Sequence, residues 1–307
     1  MGVVVIGESN DIRLYRSLKQ GGIVEYFFKP LVGTLLTQTF QSVLTDNAGQ
    51  PRVSRTGKLV FVLGTRGGDG ATTIATNIAW SLAEKGLRRV LLLDLDLQFG
   101  DAALQFDTAP SHALREALDH PERVDELFLQ RGVTKITERL DLMAAQEALS
   151  ENIKLNEESV LALIEKLRIR YRYVFVEVPS ALAPSLMGML SLPSVMLLVS
   201  TASLASARDV ARWRQQIGPN TPKRVTLHIL NQNSAHASLP LSEFIKAAGQ
   251  APDVIIPYDR EIGLASNLGV AAVRKCASLE RGLAPVYRQL TGEAQLASRS
   301  LLKRLFG

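Results

Sequence analysis

The stretch Leu63-Gly-Thr-Arg66-Gly67-Gly68-Asp69-Gly70-Ala71-Thr72-Thr73 lies between an apolar run with strand character and a run with helical periodicity. This placement constrains the fold more than any other feature. Glycines let backbone N–H groups turn inward and approach phosphate oxygens closely. The following helix adds partial positive charge at its N-terminus. A Thr in its first turn can ligate Mg²⁺ through its hydroxyl. The bland alternative is a tight turn that merely packs a helix onto a sheet.

The flanking pattern gives the fold class. Residues 59–64 read as a buried strand. Residues 72–85 read as a helix, with Ile74, Ala75, Ile78, Ala79 and Leu82 on one side. Strands follow at 89–93, 173–178, 195–200 and 225–231, and helices at 159–170 and 205–216. Near-continuous apolar strands alternating with helices predict an α/β fold with a mostly parallel sheet covered on both faces. Residues 178–207 carry no charge, but Pro179, Pro184 and Pro193 interrupt them. A membrane span needs ~20 continuous apolar residues, so the segment reads as a loop, a short buried helix and a strand at 194–200.

Ahead of this domain, residues 1–46 read strand, helix, strand, Lys29-Pro30, helix, with strands at 3–6 and 24–28 and helices at 10–19 and 34–44. Residues 47–57 are polar with Gly and Pro, as in a linker. The main domain spans 58–290, and a tail covers 291–307. The single cysteine, Cys276, excludes a disulfide framework and a cysteine-ligated metal cluster within one chain, and suits a reducing cytoplasm. No signal peptide is read at the N-terminus. The net charge of +5 resides in residues 274–307, leaving the remainder neutral. Arguments about membrane or nucleic acid therefore start at the tail. There Leu301, Leu302, Leu305 and Phe306 share a helical face, with Arg299, Lys303 and Arg304 mostly opposite. Such a helix can lie on an anionic membrane or dock on its own core with a solvated basic face.

The glycine loop resembles the deviant Walker A of the MinD/ParA family, Lys-Gly-Gly-x-Gly-Lys-Thr-Thr. Both lysines differ: Arg66 stands for the leading one and Ala71 for the P-loop one. The resemblance implies ATP and Mg²⁺ as cofactors, held by Gly67, Gly68, Gly70, Ala71, Thr72 and Thr73. It implies an ATP-dependent homodimer in which Arg66 reaches phosphate across the interface. Asp69 beside phosphates has no account at this level. Asp94-Leu-Asp96 is similar to the family's Asp-x-Asp, with Asp96 positioning the attacking water. Glu177-Val-Pro179 is similar to its Walker B, with Glu in place of Asp. Metal contacts then fall to Thr72, Asp94 and Glu177. Asn231 matches the adenine-recognising position, and Pro257-Tyr258 the segment on the other side of the base. Bland readings remain: two solvated acids ending a strand, and an Asn capping a turn.

Loss of the P-loop lysine together with a receiver-like N-terminus resembles the CpaE/TadZ branch of Flp/Tad pilus assembly. Residues 1–46 are similar to the last half of a response-regulator receiver, without the half that bears the phosphoacceptor, so no phosphorelay chemistry carries over. This branch implies a nucleotide-gated dimer with weak or absent hydrolysis. Its partners would be the pilus secretion machinery, and its place the cytoplasm, the inner-membrane face or a cell pole. The alternative is an active ATPase cycling on membrane or DNA for positioning or partition. Asp96 favours that alternative, whereas Ala71 and Glu177 favour the first reading. Specific nucleic-acid binding gains little from the charge distribution.

Overall fold

A computed structural model of the chain describes residues 4–8, 14, 17, 18, 21, 23, 25–29, 56–232, 239–269 and 272–292. The chain divides into two units, Met1–Arg55 and Thr56–Gly307. In the first unit, β1 (Val4–Gly7) pairs in parallel with β2 (Glu25–Phe28), with Val4 opposite Glu25 and Gly7 opposite Phe28. Lys29 extends the pairing through its backbone N–H to the Gly7 carbonyl and pairs with Glu8 at 3.2 Å. The expected helix at 34–44 lies outside the described residues, as does most of that at 10–19.

The second unit is built on an eight-stranded sheet. Its strands in chain order are β3 (Lys58–Gly64), β4 (Val90–Asp94), β5 (Thr134–Lys135), β6 (Leu140–Met143), β7 (Tyr173–Val178), β8 (Ser194–Ser200), β9 (Arg224–Asn231) and β10 (Val254–Ile256). Across the sheet the order is β10-β9-β8-β3-β7-β4-β6-β5. All neighbours are parallel except the edge pair β5–β6. The expected mostly parallel α/β architecture is therefore present.

Strand alternation divides the core into two layers. Leu59, Phe61 and Leu63 of β3 face one layer, under α3 (Ala113–Asp119), α4 (Glu126–Gly132), α5 (Glu157–Arg170), α6 (Met187–Leu190), α7 (Leu204–Ile217) and α8 (Leu241–Ala248). Val60 and Val62 face the other, under α1 (Ala71–Glu84), α2 (Ala102–Gln105), α9 (Arg260–Asn267) and α10 (Ala277–Thr291). Ile74, Ala75, Ile78, Ala79 and Leu82 are all buried beneath α1, as their spacing requires. The uncharged segment after β7 makes a turn of 3-10 helix, the short α6 and then β8. Among the described residues no helix is long and apolar enough to cross a membrane.

The opposite end of the sheet is tied off by α10. Lys58 Nζ donates to the Leu290 carbonyl at 2.7 Å, and Tyr173 Oη to the same oxygen at 3.0 Å. All the carboxyl ends of the parallel strands thus lie on one edge, where open α/β sheets bind their ligands.

Candidate functional site: a phosphate loop with altered charges

The loop leaves β3 at Gly64 and enters α1 at Ala71. Gly68 and Gly70 adopt φ of 84° and 89°, a left-handed backbone that side-chain-bearing residues rarely take. Gly70 is required twice over, because a Cβ there would collide with Asn231 Nδ2. At Gly67 and Gly68 a Cβ would meet nothing within 4 Å, so the loop is open on that side.

Asp69 is the loop's anchor. It is 3% exposed. Oδ2 accepts from the Thr65 hydroxyl at 2.5 Å and from the Arg66 backbone N–H at 2.8 Å. Oδ1 accepts from Thr201 at 3.0 Å and Ser206 at 3.4 Å, at the junction of β8 and α7. Asn231 Nδ2 donates to the Asp69 carbonyl at 3.0 Å. In this structure the Asn231 amide therefore braces the loop. β10 pairs with β9 so that Ile256 sits opposite Asn231, which places Pro257 and Tyr258 just beyond, both exposed.

Two carboxylates, Asp94 and Glu177, lie side by side at the strand ends next to Thr72. Parallel register sets Asp94 directly opposite Glu177 on neighbouring strands. The Thr72 hydroxyl donates to Glu177 Oε1 at 2.5 Å, while Glu177 Oε2 is buried with no hydrogen-bond partner. Asp94 Oδ1 accepts from the Asp96 N–H at 3.0 Å, and Oδ2 lies 3.4 Å from that of Ala102. Burial is the chief cause that raises the Asp94 carboxyl to about 7, with the Asp96 and Asp101 charges adding to it against those two N–H groups. Burial raises Glu177 well above the usual carboxylate range, reinforced by the nearby Asp94 charge and opposed by the Thr72 hydroxyl. Asp96 turns its carboxylate onto the following loop, accepting from Phe99 N–H at 2.9 Å and Gln98 N–H at 3.4 Å.

Mg²⁺ and a nucleotide phosphate fit these residues. The buried, partnerless Glu177 oxygen, the Thr72 hydroxyl and Asp94 are hard oxygen donors of the kind Mg²⁺ takes. Among the described residues no three His, Cys, Asp or Glu side chains form a metal cage by themselves. Mg²⁺ usually binds through one or two carboxylates plus water and phosphate oxygens.

Arg66, expected to reach a partner subunit, is turned within this single chain onto Asp209 of α7, with Nε 3.3 Å from Oδ2. Arg208 and Arg212 hold the same carboxylate at 3.0 and 3.4 Å. Desolvation works against the Asp209 charge, but Arg208, Arg66 and Arg212 outweigh it and keep the carboxyl below its ordinary value. Thr73 is also engaged, its hydroxyl accepting at 3.4 Å from Gln105 of α2; the Gln105 oxygen accepts from Thr76 at 2.9 Å. Thr201, Ser206, Asp209 and Gln105 are site residues that the sequence motifs did not reveal.

With this geometry in hand, comparison with known proteins is decisive at one level. The AAA_31 family (AAA domain) matches residues 57–217, just over half of the chain. The chain belongs to this family. Among relatives of this AAA_31 protein, the septum site-determining protein MinD of Helicobacter pylori is 24% identical over 246 residues, covering 76% of this chain and 91% of that protein. Of solved structures, a ParA family ATPase from Chlorobium tepidum has a TM-score of 0.64 at 22% identity, covering 76% of this chain and 98% of that one. MinD from Pyrococcus horikoshii, complexed with Mg-ADP, has a TM-score of 0.62 at 19% identity, covering 78% and 98%. The AAA_31 chain therefore has the MinD/ParA P-loop ATPase fold.

Proposed function

We propose that this protein binds ATP with Mg²⁺ as a gate for homodimer formation, and hydrolyses it slowly or not at all. The observation that carries the reading is Ala71 at the head of α1, where the P-loop lysine would stand. A methyl group cannot neutralise β- and γ-phosphate charge. Transition-state stabilisation suffers more from that loss than ground-state binding does. The loop amides, the α1 N-terminus, Thr72 and Thr73 still hold phosphate. Thr72, Asp94 and Glu177 would hold Mg²⁺, which supplies charge neutralisation when bound. Asp96 sits at the end of the same edge, where it can orient water. Asn231, Pro257 and Tyr258 line the side on which a base would rest. Arg66 is a charge that can leave Asp209 for the phosphates of a second subunit.

The finer placement is Flp/Tad pilus assembly of the CpaE/TadZ kind, with the secretion machinery as partner. It is supported by the missing lysine and by the N-terminal segment. The parallel pairing of β1 with β2 is the pairing expected of two adjacent receiver strands. The protein would then work in the cytoplasm or at the inner-membrane face, near a pole. The basic residues of 291–307, all of which lie outside the described residues, would give peripheral contact.

The test is paired, on one sample: Mg-ATP binding by calorimetry, and phosphate release. Saturable binding with negligible release supports the gate. Rapid release would show that Arg66 replaces the lysine and would favour an active positioning ATPase. No binding would sink the nucleotide reading.

A further inference from the structure

A phosphate loop with nothing bound has an intrinsic difficulty. Its inward-facing N–H groups are arranged for an anion, and without one the loop loses its shape cheaply. Here the chain supplies a carboxylate of its own. Asp69 accepts the Arg66 N–H and the Thr65 hydroxyl within the loop through one oxygen. Through the other it accepts the Thr201 and Ser206 hydroxyls of a separate element. All four donors are neutral, so the buried carboxylate is satisfied by hydrogen bonds alone. Its main-chain oxygen is held by Asn231 from β9. The loop is thus pinned to β8, α7 and β9, which flank it on one side of β3. The carboxylate is buried among these partners, whereas Gly67 and Gly68 border open space.

We infer that Asp69 is a resident anion that fixes the phosphate loop in its nucleotide-ready form before nucleotide arrives, offsetting in loop order what Ala71 gives up in charge. The second half rests on the nucleotide reading above; the first half does not. Binding to a preformed loop spares the cost of ordering it, which grows with each residue that must be fixed. Asp69 is in this sense a positioning residue, acting through the Arg66 amide and the loop backbone.

The experiment is hydrogen exchange of the nucleotide-free full-length chain, reading peptides over 64–73 and, as a fold control, over 173–178. Wild type, Asp69→Ala, Asp69→Asn and Thr201→Ala are compared, each also with Mg-ATP, alongside calorimetric Mg-ATP titrations. In the wild type the amides already bonded in the structure, Thr65, Arg66 and Asp69, should be protected without nucleotide, and Mg-ATP should add protection only at the amides that meet phosphate. D69A should lose at least roughly tenfold protection over 64–73 with the control peptide unchanged. It should regain that protection with Mg-ATP and bind Mg-ATP about tenfold more weakly. D69N should fall between, because its amide offers one acceptor in place of two. T201A, which leaves the loop sequence intact, should show a smaller loss and decides the matter if D69A does not fold. An unprotected wild-type loop, or equal protection in folded D69A or T201A, would overturn the inference. Tighter Mg-ATP binding by D69A would show a competing anion and overturn its second half. Failure of the wild type to bind Mg-ATP would refute the nucleotide reading, while the nucleotide-free exchange still tests Asp69.

Discussion

Replacing Asp94 by asparagine should flatten the pH dependence of the protein's stability without nucleotide. The Asp94 carboxyl stands at about 7 in the folded chain against an ordinary 3.8. A folded value above the unfolded one means that the folded state holds the proton longer. Stability contributed by protonated Asp94 is therefore complete below about pH 4 and is lost as pH rises to about 7. At ~1.4 kcal/mol per pH unit, the loss is about 4 kcal/mol. The Glu177 carboxyl, raised for the same chief reason of burial, adds to the loss in the same direction. An asparagine side chain would keep the acceptor for Asp96 N–H and lose the long one to Ala102, costing about 1 kcal/mol. The variant should thus be slightly less stable than wild type at about pH 4, equal near about pH 4.5 and more stable by about 3 kcal/mol at about pH 8. Urea denaturation at fixed pH across roughly 4 to 8.5, without Mg²⁺, measures this directly. Parallel wild-type and D94N curves would refute the argument that a desolvated proton resides between β4 and β7. Mg-ATP should then bind with proton release below about pH 7, detectable as buffer-dependent heat.

Other consequences are as direct. Gly70→Ala places a methyl against Asn231 at a φ of 89°; a loss of at least about 1–2 kcal/mol in urea denaturation is expected, and unchanged stability would mean that the loop is not held as described. Ala71→Lys should raise phosphate release at least roughly tenfold if the missing charge limits turnover; no rise would point to Glu177 or Asp96 instead. Arg66→Ala should cost under about 1 kcal/mol of stability, since its partner keeps Arg208 and Arg212. The same change should abolish ATP-dependent dimerisation in sedimentation experiments, and a dimer that survives would remove Arg66 from the interface.

The central strands and α1 were legible because burial on both faces leaves a continuous apolar signal, and β7 and β8 fall on the residues expected. The β5–β6 edge was not. Leu140–Met143 is only four residues long and carries a buried charge, Asp141, whose acceptance of the Tyr171 hydroxyl at 2.6 Å is a tertiary fact with no local trace. β10, three residues long, was not read as a strand; only Pro257 and Tyr258, just beyond it, were singled out. At the site, the glycines and Thr72 announced themselves by spacing. Asp69 did not, because its partners Thr201 and Ser206 lie far along the chain and reach it only once β8 is laid beside β3. Asn231 was placed at the correct edge, but its amide bond to the loop depends on side-chain direction, which no motif encodes. Arg66 likewise could be matched to a position without showing that it rests on Asp209.

Lys58 and Tyr173 grip the Leu290 carbonyl near the end of α10 at the base of β3, the strand through which the chain enters the domain. Six residues of β3 separate Lys58 from the loop, a span of about 20 Å to Gly64 at ~3.3 Å per residue. Tension applied between residues 56 and 292 would be borne by that grip together with the Gly57 N–H bond to the Arg168 carbonyl and the Lys58 N–H bond to the Arg172 carbonyl. Little of it would shear the sheet or reach Gly64. The domain can therefore be tethered at both flanks, even under load, while its nucleotide edge stays mechanically quiet.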